Sequence, residues 1–148
     1  MKTLIVYYSR TGNTEKLANE IQKQTGGVIE KIEDNINRRG ILGYLKSGFQ
    51  AAKKHAVSIN EPINNPKDFE KVIVISSIWA GTINSPIRSY LQKYRKEINC
   101  YELLLVRMGS QIESVVAEVT DILGKSPIKA LGIIDKQIKD NTLKVEEL

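Results

Sequence analysis

The sequence predicts a three-layer α/β domain, doubly wound around a parallel sheet of five strands. Short apolar runs typical of buried strands recur along the chain, and segments with helical spacing of apolar residues separate them. Strands that alternate with helices in this way indicate βαβ units. The chain has 148 residues, enough for one compact core, and no repeat or low-complexity stretch divides it. We therefore expect a single domain over residues 1–148.

The five predicted strands differ in how clearly the sequence marks them. Val72–Ile75 is the strongest signal, because all its residues are β-branched and apolar. Leu4–Tyr8 and Leu103–Val106 are also continuous apolar runs, as expected of strands buried on both faces. Val28–Ile32 alternates apolar and polar residues, which predicts a half-buried strand, and Ala130–Ile134 supplies the fifth.

Helices are predicted between these strands. Thr14–Gln24 has apolar residues at helical spacing and is followed by Gly26, which suits a helix C-terminus. A second helix is expected to take Ser85 as its N-cap, with proline at the next position. A third covers the apolar stripe of 115–123. The tail 136–148 lacks the stripe of a covering helix, so its role stays open.

Composition excludes several classes of protein. With 41% hydrophobic and 26% charged residues the chain is not disordered, and no apolar run is long enough to span a bilayer. The N-terminal segment lacks a signal-peptide cleavage site, so the cytoplasm is the expected compartment. One cysteine and one histidine exclude a disulfide framework and argue against a metal centre. His55 is given no catalytic role.

The loop after the first strand carries the chemistry of a phosphate site. It joins a buried strand directly to a helix, whose first N–H groups and partial positive charge favour an anion. Hydroxyl groups add donors, and a glycine lets the backbone approach a ligand closely. The alternative is that Thr11 or Thr14 only caps the helix. The candidate residues are Ser9, Arg10, Thr11, Gly12, Asn13 and Thr14.

Other phosphate-binding classes fit this loop poorly. It lacks the lysine of a P-loop and the GxGxxG run of a dinucleotide fold. The acidic residues of a response regulator are absent after the first and third strands. Cys100 and Arg107 stand at opposite ends of a predicted strand, too far apart for a cysteine phosphatase. A monophosphate held by backbone dipoles fits best.

The run Tyr8-Ser9-Arg10-Thr11-Gly12-Asn13-Thr14 resembles the phosphate-loop signature of the flavodoxin family. In that family a strand ends in an S/T-x-T-G-N-T run that binds the phosphate of FMN. The resemblance extends from Leu4 to about Ile134. It implies a flavodoxin-like sandwich with strand order 2-1-3-4-5, and FMN as the cofactor.

Two further loops would hold the flavin ring if the resemblance extends to function. Trp79, the one tryptophan, offers a flat face for an isoalloxazine, although a core aromatic is the alternative. The resemblance places backbone groups of Ala80, Gly81 and Thr82 near flavin N5, with the Gly81 peptide as the group that reorients.

The loop after the fourth strand would lie on the pyrimidine side of the flavin. The residues that the resemblance implies there are Met108, Gly109 and Ser110. Arg107 and Met108 depart from the family pattern. Arg107 either points at flavin N1 and O2, where its charge would stabilise the reduced anion, or is a solvated arginine.

The net charge of +5 is concentrated in one segment. No acidic residue stands between Asp34 and Glu61, and the rest of the chain is neutral. The interval 41–52 has an apolar side at roughly helical spacing, interrupted by glycines. It predicts an irregular helix packed over the sheet edge or beside the ligand crevice. The basic residues are Arg38, Arg39, Lys46, Lys53 and Lys54.

These patterns together predict a small FMN-binding electron-transfer protein. The basic segment favours docking of an acidic redox partner protein over nucleic acid, for which no module is present, although a merely solvated face is the alternative. It could also attract an anionic substrate or a nicotinamide nucleotide. Two other functions stay open: an FMN-dependent NAD(P)H or quinone reductase, and a flavin-free docking module.

Overall fold

The computed structural model describes residues 1–54, 56–109 and 111–148, without the side chain of Glu147. Five parallel strands form its sheet, in the spatial order β2-β1-β3-β5-β6, and a two-residue strand pairs antiparallel with the end of β3. Without that short strand, the order is the predicted 2-1-3-4-5. The strands are β1 Thr3–Tyr7, β2 Val28–Lys31, β3 Lys71–Trp79, β4 Thr82–Ile83, β5 Tyr101–Arg107 and β6 Lys129–Ile134.

Helices cover both faces of the sheet. Alternate residues of the strands point to opposite sides, so each face has its own apolar core. One core lies under α1 and α5, and the other lies under α3 and α4. The helices are α1 Asn13–Thr25, α2 Gly40–Ala52, α3 Ser85–Lys93, α4 Glu113–Leu123 and α5 Asp135–Lys139, with 3₁₀ turns at Pro66–Asp68 and Val145–Glu147.

Two details of the sequence prediction change. The N-cap of α3 is Asn84 instead of Ser85, because the Asn84 side chain accepts a hydrogen bond from the backbone N–H of Ile87 at 3.0 Å. The tail forms a short covering helix after all. Ile138 is buried against α1, and the chain beyond it packs on the same core. Among the described helices, none has the length and apolarity that crossing a bilayer requires.

The helix predicted in the basic segment is present, but its predicted apolar side is not the side that packs against the rest of the protein. The residues that α2 buries against the rest of the protein are Gly43, Ser47 and Ala51. Its large apolar side chains, expected to pack over the sheet edge or beside the ligand crevice, are more than half exposed. The reason is close approach: a Cβ on Gly43 would lie 2.0 Å from the carbonyl carbon of Arg38. Only glycine lets the helix backbone approach the preceding loop this closely.

Two glycine substitutions in α2 test this packing. Gly43→Ala must push the helix away from Arg38, so we expect the free energy of unfolding to fall by about 1–3 kcal/mol. Gly48→Ala is the matched control, because its Cβ would meet nothing within 4 Å. The control should stabilise the protein by up to about 1 kcal/mol through helix propensity. Urea unfolding measures both, and equal effects of the two variants would contradict this packing.

Candidate functional site

A cavity of about 760 Å³ opens at the carboxyl edge of the sheet. It lies beside the ends of β1 and β3, the two neighbouring strands from which the chain winds in opposite directions. Ligands of open α/β sheets bind at such a switch point. The loop after β1, the end of β3, helix α2 and the start of α5 all contribute walls.

The loop after β1 is shaped by its own side chains. Gly12 has a φ of +96°, in the left-handed region that favours glycine, and it is the N-cap residue of α1. The hydroxyl of Ser9 accepts a hydrogen bond from the Gly12 N–H at 2.9 Å and closes the turn. No side chain caps α1, so neither Thr11 nor Thr14 has the alternative capping role. The first-turn N–H groups are therefore not satisfied by a capping side chain.

The six predicted residues of this loop divide into two groups. Arg10, Thr11, Asn13 and Thr14 line the cavity, whereas Ser9 and Gly12 only form the turn.

Thr14 ties the loop to the sheet, since its hydroxyl lies 3.0 Å from the hydroxyl of Ser77. Ser77 also lines the cavity. The polar end of the cavity is therefore fixed to both β1 and β3.

The start of α5 forms a wall that the sequence does not reveal. The Asn13 side-chain amide donates to the backbone oxygen of Asp135 at 3.2 Å and also to its carboxylate. The Lys139 ammonium lies 2.7 Å from the same carboxylate. Asp135 and Lys139 both line the cavity beside the loop after β1. Their only sequence signal is that α5 follows a strand directly, and the polar tail gives no further hint.

Trp79 stands on the cavity wall, half-buried, with its ring held by two neighbours. The Tyr8 ring meets it edge-on, with centroids 5.6 Å apart. The Arg38 guanidinium lies 5.1 Å from the Trp79 ring centroid. Burial, followed by the nearby Asp34 charge, raises the pKa of Tyr8 to about 12, so its phenol is neutral at physiological pH. Trp79 also packs against the core, as the alternative interpretation requires, and its contact with an isoalloxazine ring stays a prediction.

The turn after Trp79 is a two-residue hairpin. Ala80 and Gly81 both have positive φ, at 49° and 77°, as a type I′ turn requires. Ala80 lines the cavity, and Gly81 is exposed at the tip of the turn. The Thr82 hydroxyl accepts a hydrogen bond from Arg88 at 2.7 Å and contacts the Glu118 carboxylate, so this side chain does not line the cavity, and the role predicted for the Thr82 backbone stays a prediction. This buried network anchors the hairpin.

One of the predicted residues of the loop after β5 lines the cavity. Met108 lines the cavity and is 84% exposed, while Gly109 does not reach it and Ser110 lies outside the described residues, as does His55. Arg107 does not line the cavity either. Its side chain crosses β6, since a Cβ on Gly132 would lie 2.9 Å from Arg107 Nε. The hypothesis that Arg107 faces a bound flavin is therefore not supported.

Helix α2 forms the outer wall of the cavity, as one of the two predicted placements requires. Arg10 connects helix α2 to the loop after β1. Its guanidinium donates to the backbone oxygen of Arg38 at 3.3 Å and lies 5.5 Å from the Tyr44 ring centroid. The sequence did not identify the lining residues Tyr44, Leu45, Ser47, Gly48, Phe49, Ala52, Ser77, Ile78, Val106, Asp135 and Lys139.

Arg38 corrects the prediction for the basic segment. Its side chain is 2% exposed and forms an ion pair with Asp34 at 2.8 Å. It also donates to the Ser47 hydroxyl at 3.0 Å, which ties the loop before α2 to the helix. Arg38 therefore does not belong to a docking surface, because its charge is buried and already paired. The other four basic residues, Arg39, Lys46, Lys53 and Lys54, are exposed.

The site thus has a polar end and an apolar end. The loop after β1 and helix α5 provide hydroxyl, amide and ammonium groups at the polar end. Trp79, Leu45 and Phe49 provide apolar walls at the other end. In the part of the chain that the structure describes, no group of His, Cys, Asp or Glu side chains is arranged to hold a metal ion.

Comparison with known proteins gives structural matches only. No protein-family model matches the chain, and no curated protein does. A flavoprotein from Lactobacillus acidophilus in complex with FMN has a TM-score of 0.76 at 18% identity, covering 96% of this chain and 99% of that one. The apo form from the same organism has a TM-score of 0.65 at 17% identity, covering 97% of each chain.

A flavodoxin from the domain Archaea is more distant. Its TM-score is 0.53 at 16% identity, over 95% of this chain and 90% of that one. At these identities the matches report on the fold. They agree with a parallel sheet flanked by helices on both faces. The chain therefore has the flavodoxin-like fold.

Proposed function

We propose that this chain binds FMN in the cavity and acts as an electron-transfer protein. One observation carries the proposal: the uncapped first turn of α1 opens into a cavity that has Trp79 on its wall, at the switch between β1 and β3. The Lactobacillus acidophilus flavoprotein of the same fold was crystallised with FMN, which supports this choice of ligand.

The polar end of the cavity fits the phosphate of FMN. The N–H groups at the start of α1 suit an anion, and the hydroxyl of Thr11 is exposed beside them. Lys139 adds a cation at the same end. A phosphate would then meet the backbone dipoles of α1 and the Lys139 ammonium, which is also paired with the Asp135 carboxylate.

The apolar end fits the isoalloxazine ring. Trp79 offers an aromatic surface on one wall, and Leu45 and Phe49 of α2 line another. The cavity volume of about 760 Å³ lies within the range of cofactor sites. Since this end of the cavity is lined by apolar groups, it favours a flat, weakly polar ring over a sugar or a peptide.

Bound FMN supplies the redox chemistry, and the protein has to bind it, orient it and limit its contact with water. The loop after β1 holds one end, and Trp79 and α2 enclose the other. Trp79, Leu45, Phe49 and Met108, at the apolar end, carry no general acid or base. We take electron transfer as the function, and an FMN-dependent reductase is the alternative.

The predicted docking of an acidic redox partner stays a prediction. Of the five cations assigned to it, Arg39, Lys46, Lys53 and Lys54 are exposed, and Arg38 is not. Such a partner would approach the cavity from the α2 side.

FMN titration followed by tryptophan fluorescence tests the proposed function. Because Trp79 is the one tryptophan and lines the cavity, FMN should quench its emission at one equivalent. Riboflavin has the same ring without the phosphate, so we expect it to bind at least tenfold more weakly. Absence of quenching by FMN, or equal affinity for both flavins, would contradict this assignment.

Rapid bleaching of the bound flavin by NADPH alone would identify a reductase instead of a carrier.

A second prediction concerns the phosphate end. Lys139→Gln removes the cation beside the loop, so FMN affinity should fall about five- to tenfold while riboflavin affinity stays unchanged. Lys136→Gln is the matched control, because Lys136 is exposed on the same helix and does not line the cavity. The flavin titration measures all four combinations. A similar loss in both variants, or a loss for riboflavin too, would show that Lys139 does not contact the phosphate.

A further inference from the structure

Helix α2 is attached to the protein by its small residues. Gly43, Ser47 and Ala51 recur every four positions and are buried, and the glycine packs directly against the backbone of Arg38. This arrangement is the reverse of an ordinary surface helix, in which large apolar residues face the core. The opposite side of α2 is consequently left for solvent.

That opposite side carries four large apolar side chains, which we call the α2 outer face. Ile41 is 79% exposed, Leu42 82%, Leu45 59% and Phe49 58%. Their spacing of three or four positions places them on adjoining parts of one helix surface. Scattered exposed apolar residues need no explanation, but a cluster of this kind on one short helix marks an interaction site.

The charged residues that this segment of the chain places around the α2 outer face are basic. Lys46 and Lys53 stand on α2 and at its end, and Arg39 and Lys54 flank the helix. No acidic residue occurs from 35 to 60, so no carboxylate of this segment offsets the four cations. The segment therefore combines exposed apolar side chains with a uniform positive charge.

We propose that the α2 outer face docks on an anionic lipid surface, with its apolar side chains entering the headgroup region. Helices that lie in a bilayer interface have this composition, with leucine and phenylalanine on one side and lysine and arginine around them. The negative potential of an anionic leaflet attracts such cations strongly over a short range. The protein would rest on the membrane without crossing it.

Two other occupants fit the surface less well. A second copy of the chain would bring four cations of one α2 against four of the other, with no acid nearby to compensate. An acidic redox protein matches the charge, but transient electron-transfer complexes have small, polar and wet interfaces. The four side chains of the α2 outer face are each more than half exposed. They present more apolar surface than a transient electron-transfer interface buries.

Docking would also orient the cavity. Leu45 and Phe49 belong to the α2 outer face and line the cavity as well. The mouth beside α2 would therefore lie next to the headgroups. A ligand in the cavity would cover Leu45 and Phe49 in part, whereas Ile41 and Leu42 do not line the cavity and stay available for docking whether or not FMN is the ligand.

Sedimentation with vesicles tests the proposal on the full chain. The probes are vesicles of pure phosphatidylcholine and vesicles of phosphatidylcholine and phosphatidylglycerol in equal parts. We expect the protein to pellet with the anionic vesicles, to remain in solution with the neutral ones, and to be released by salt. The double variant Lys46→Gln, Lys53→Gln should lower partitioning about thirtyfold, since each cation near the surface contributes about fivefold.

Two further double variants serve as the apolar test and the control. Ile41→Ser with Leu42→Ser changes exposed residues that do not line the cavity, and it should lower partitioning at least tenfold without changing the flavin titration. Lys67→Gln with Lys129→Gln removes two exposed lysines, one in the 3₁₀ turn before β3 and one at the first residue of β6, at the opposite edge of the sheet, and should have no effect. Circular dichroism checks that each variant is folded.

Several results would overturn the proposal. One such result is that the wild-type protein stays in solution with both kinds of vesicle. Another is that the Lys67 and Lys129 control weakens binding as much as the α2 variants do. Sensitivity to the lysines but not to Ile41 and Leu42 would show adsorption of a basic patch without insertion. A dimer in sedimentation equilibrium that Ile41→Ser with Leu42→Ser dissociates would identify a second copy as the occupant. Binding to an acidic redox protein with no vesicle binding would identify a protein partner.

Discussion

The buried guanidinium of Arg38 connects the parts of the molecule that enclose the cavity. It pairs with Asp34 in the loop after β2, donates to Ser47 of α2 and lies over the Trp79 ring at the end of β3. Its backbone oxygen accepts from Arg10 of the loop after β1. A buried cation is tolerated only with such partners, because loss of one leaves an uncompensated charge in the protein. The outer wall of the cavity therefore depends on this residue.

The two ends of the cavity are held in different ways. The polar end stands on the sheet and on α5, through hydrogen bonds that connect Thr14 with Ser77 and Asn13 with Asp135. The outer wall is one helix, which rests on small side chains and on the contacts of Arg38. Close packing of glycine in α2 explains why the helix displays its large residues outward. The close packing of glycine in α2 thus positions the helix as the cavity wall and leaves its large apolar side chains exposed beside the basic residues.

Local sequence predicts the sheet and the loop after β1 because both depend on neighbouring residues. Continuous apolar runs such as Val72–Ile75 mark buried strands regardless of context, and a run of hydroxyls with one glycine marks an anion-binding turn.

The errors come from tertiary contacts. Arg38 is buried because Asp34 neutralises it. Asp135 and Lys139 reach the cavity only because α5 packs against α1, a contact that no nearby residue announces.

A crystal structure of the protein grown with FMN tests the central claim most directly. We expect the phosphate at the first turn of α1, near Thr11 and Lys139, and the isoalloxazine ring between Trp79 and α2. Electron density for FMN at another place, or a cavity that stays free of flavin at saturating FMN, would contradict the account.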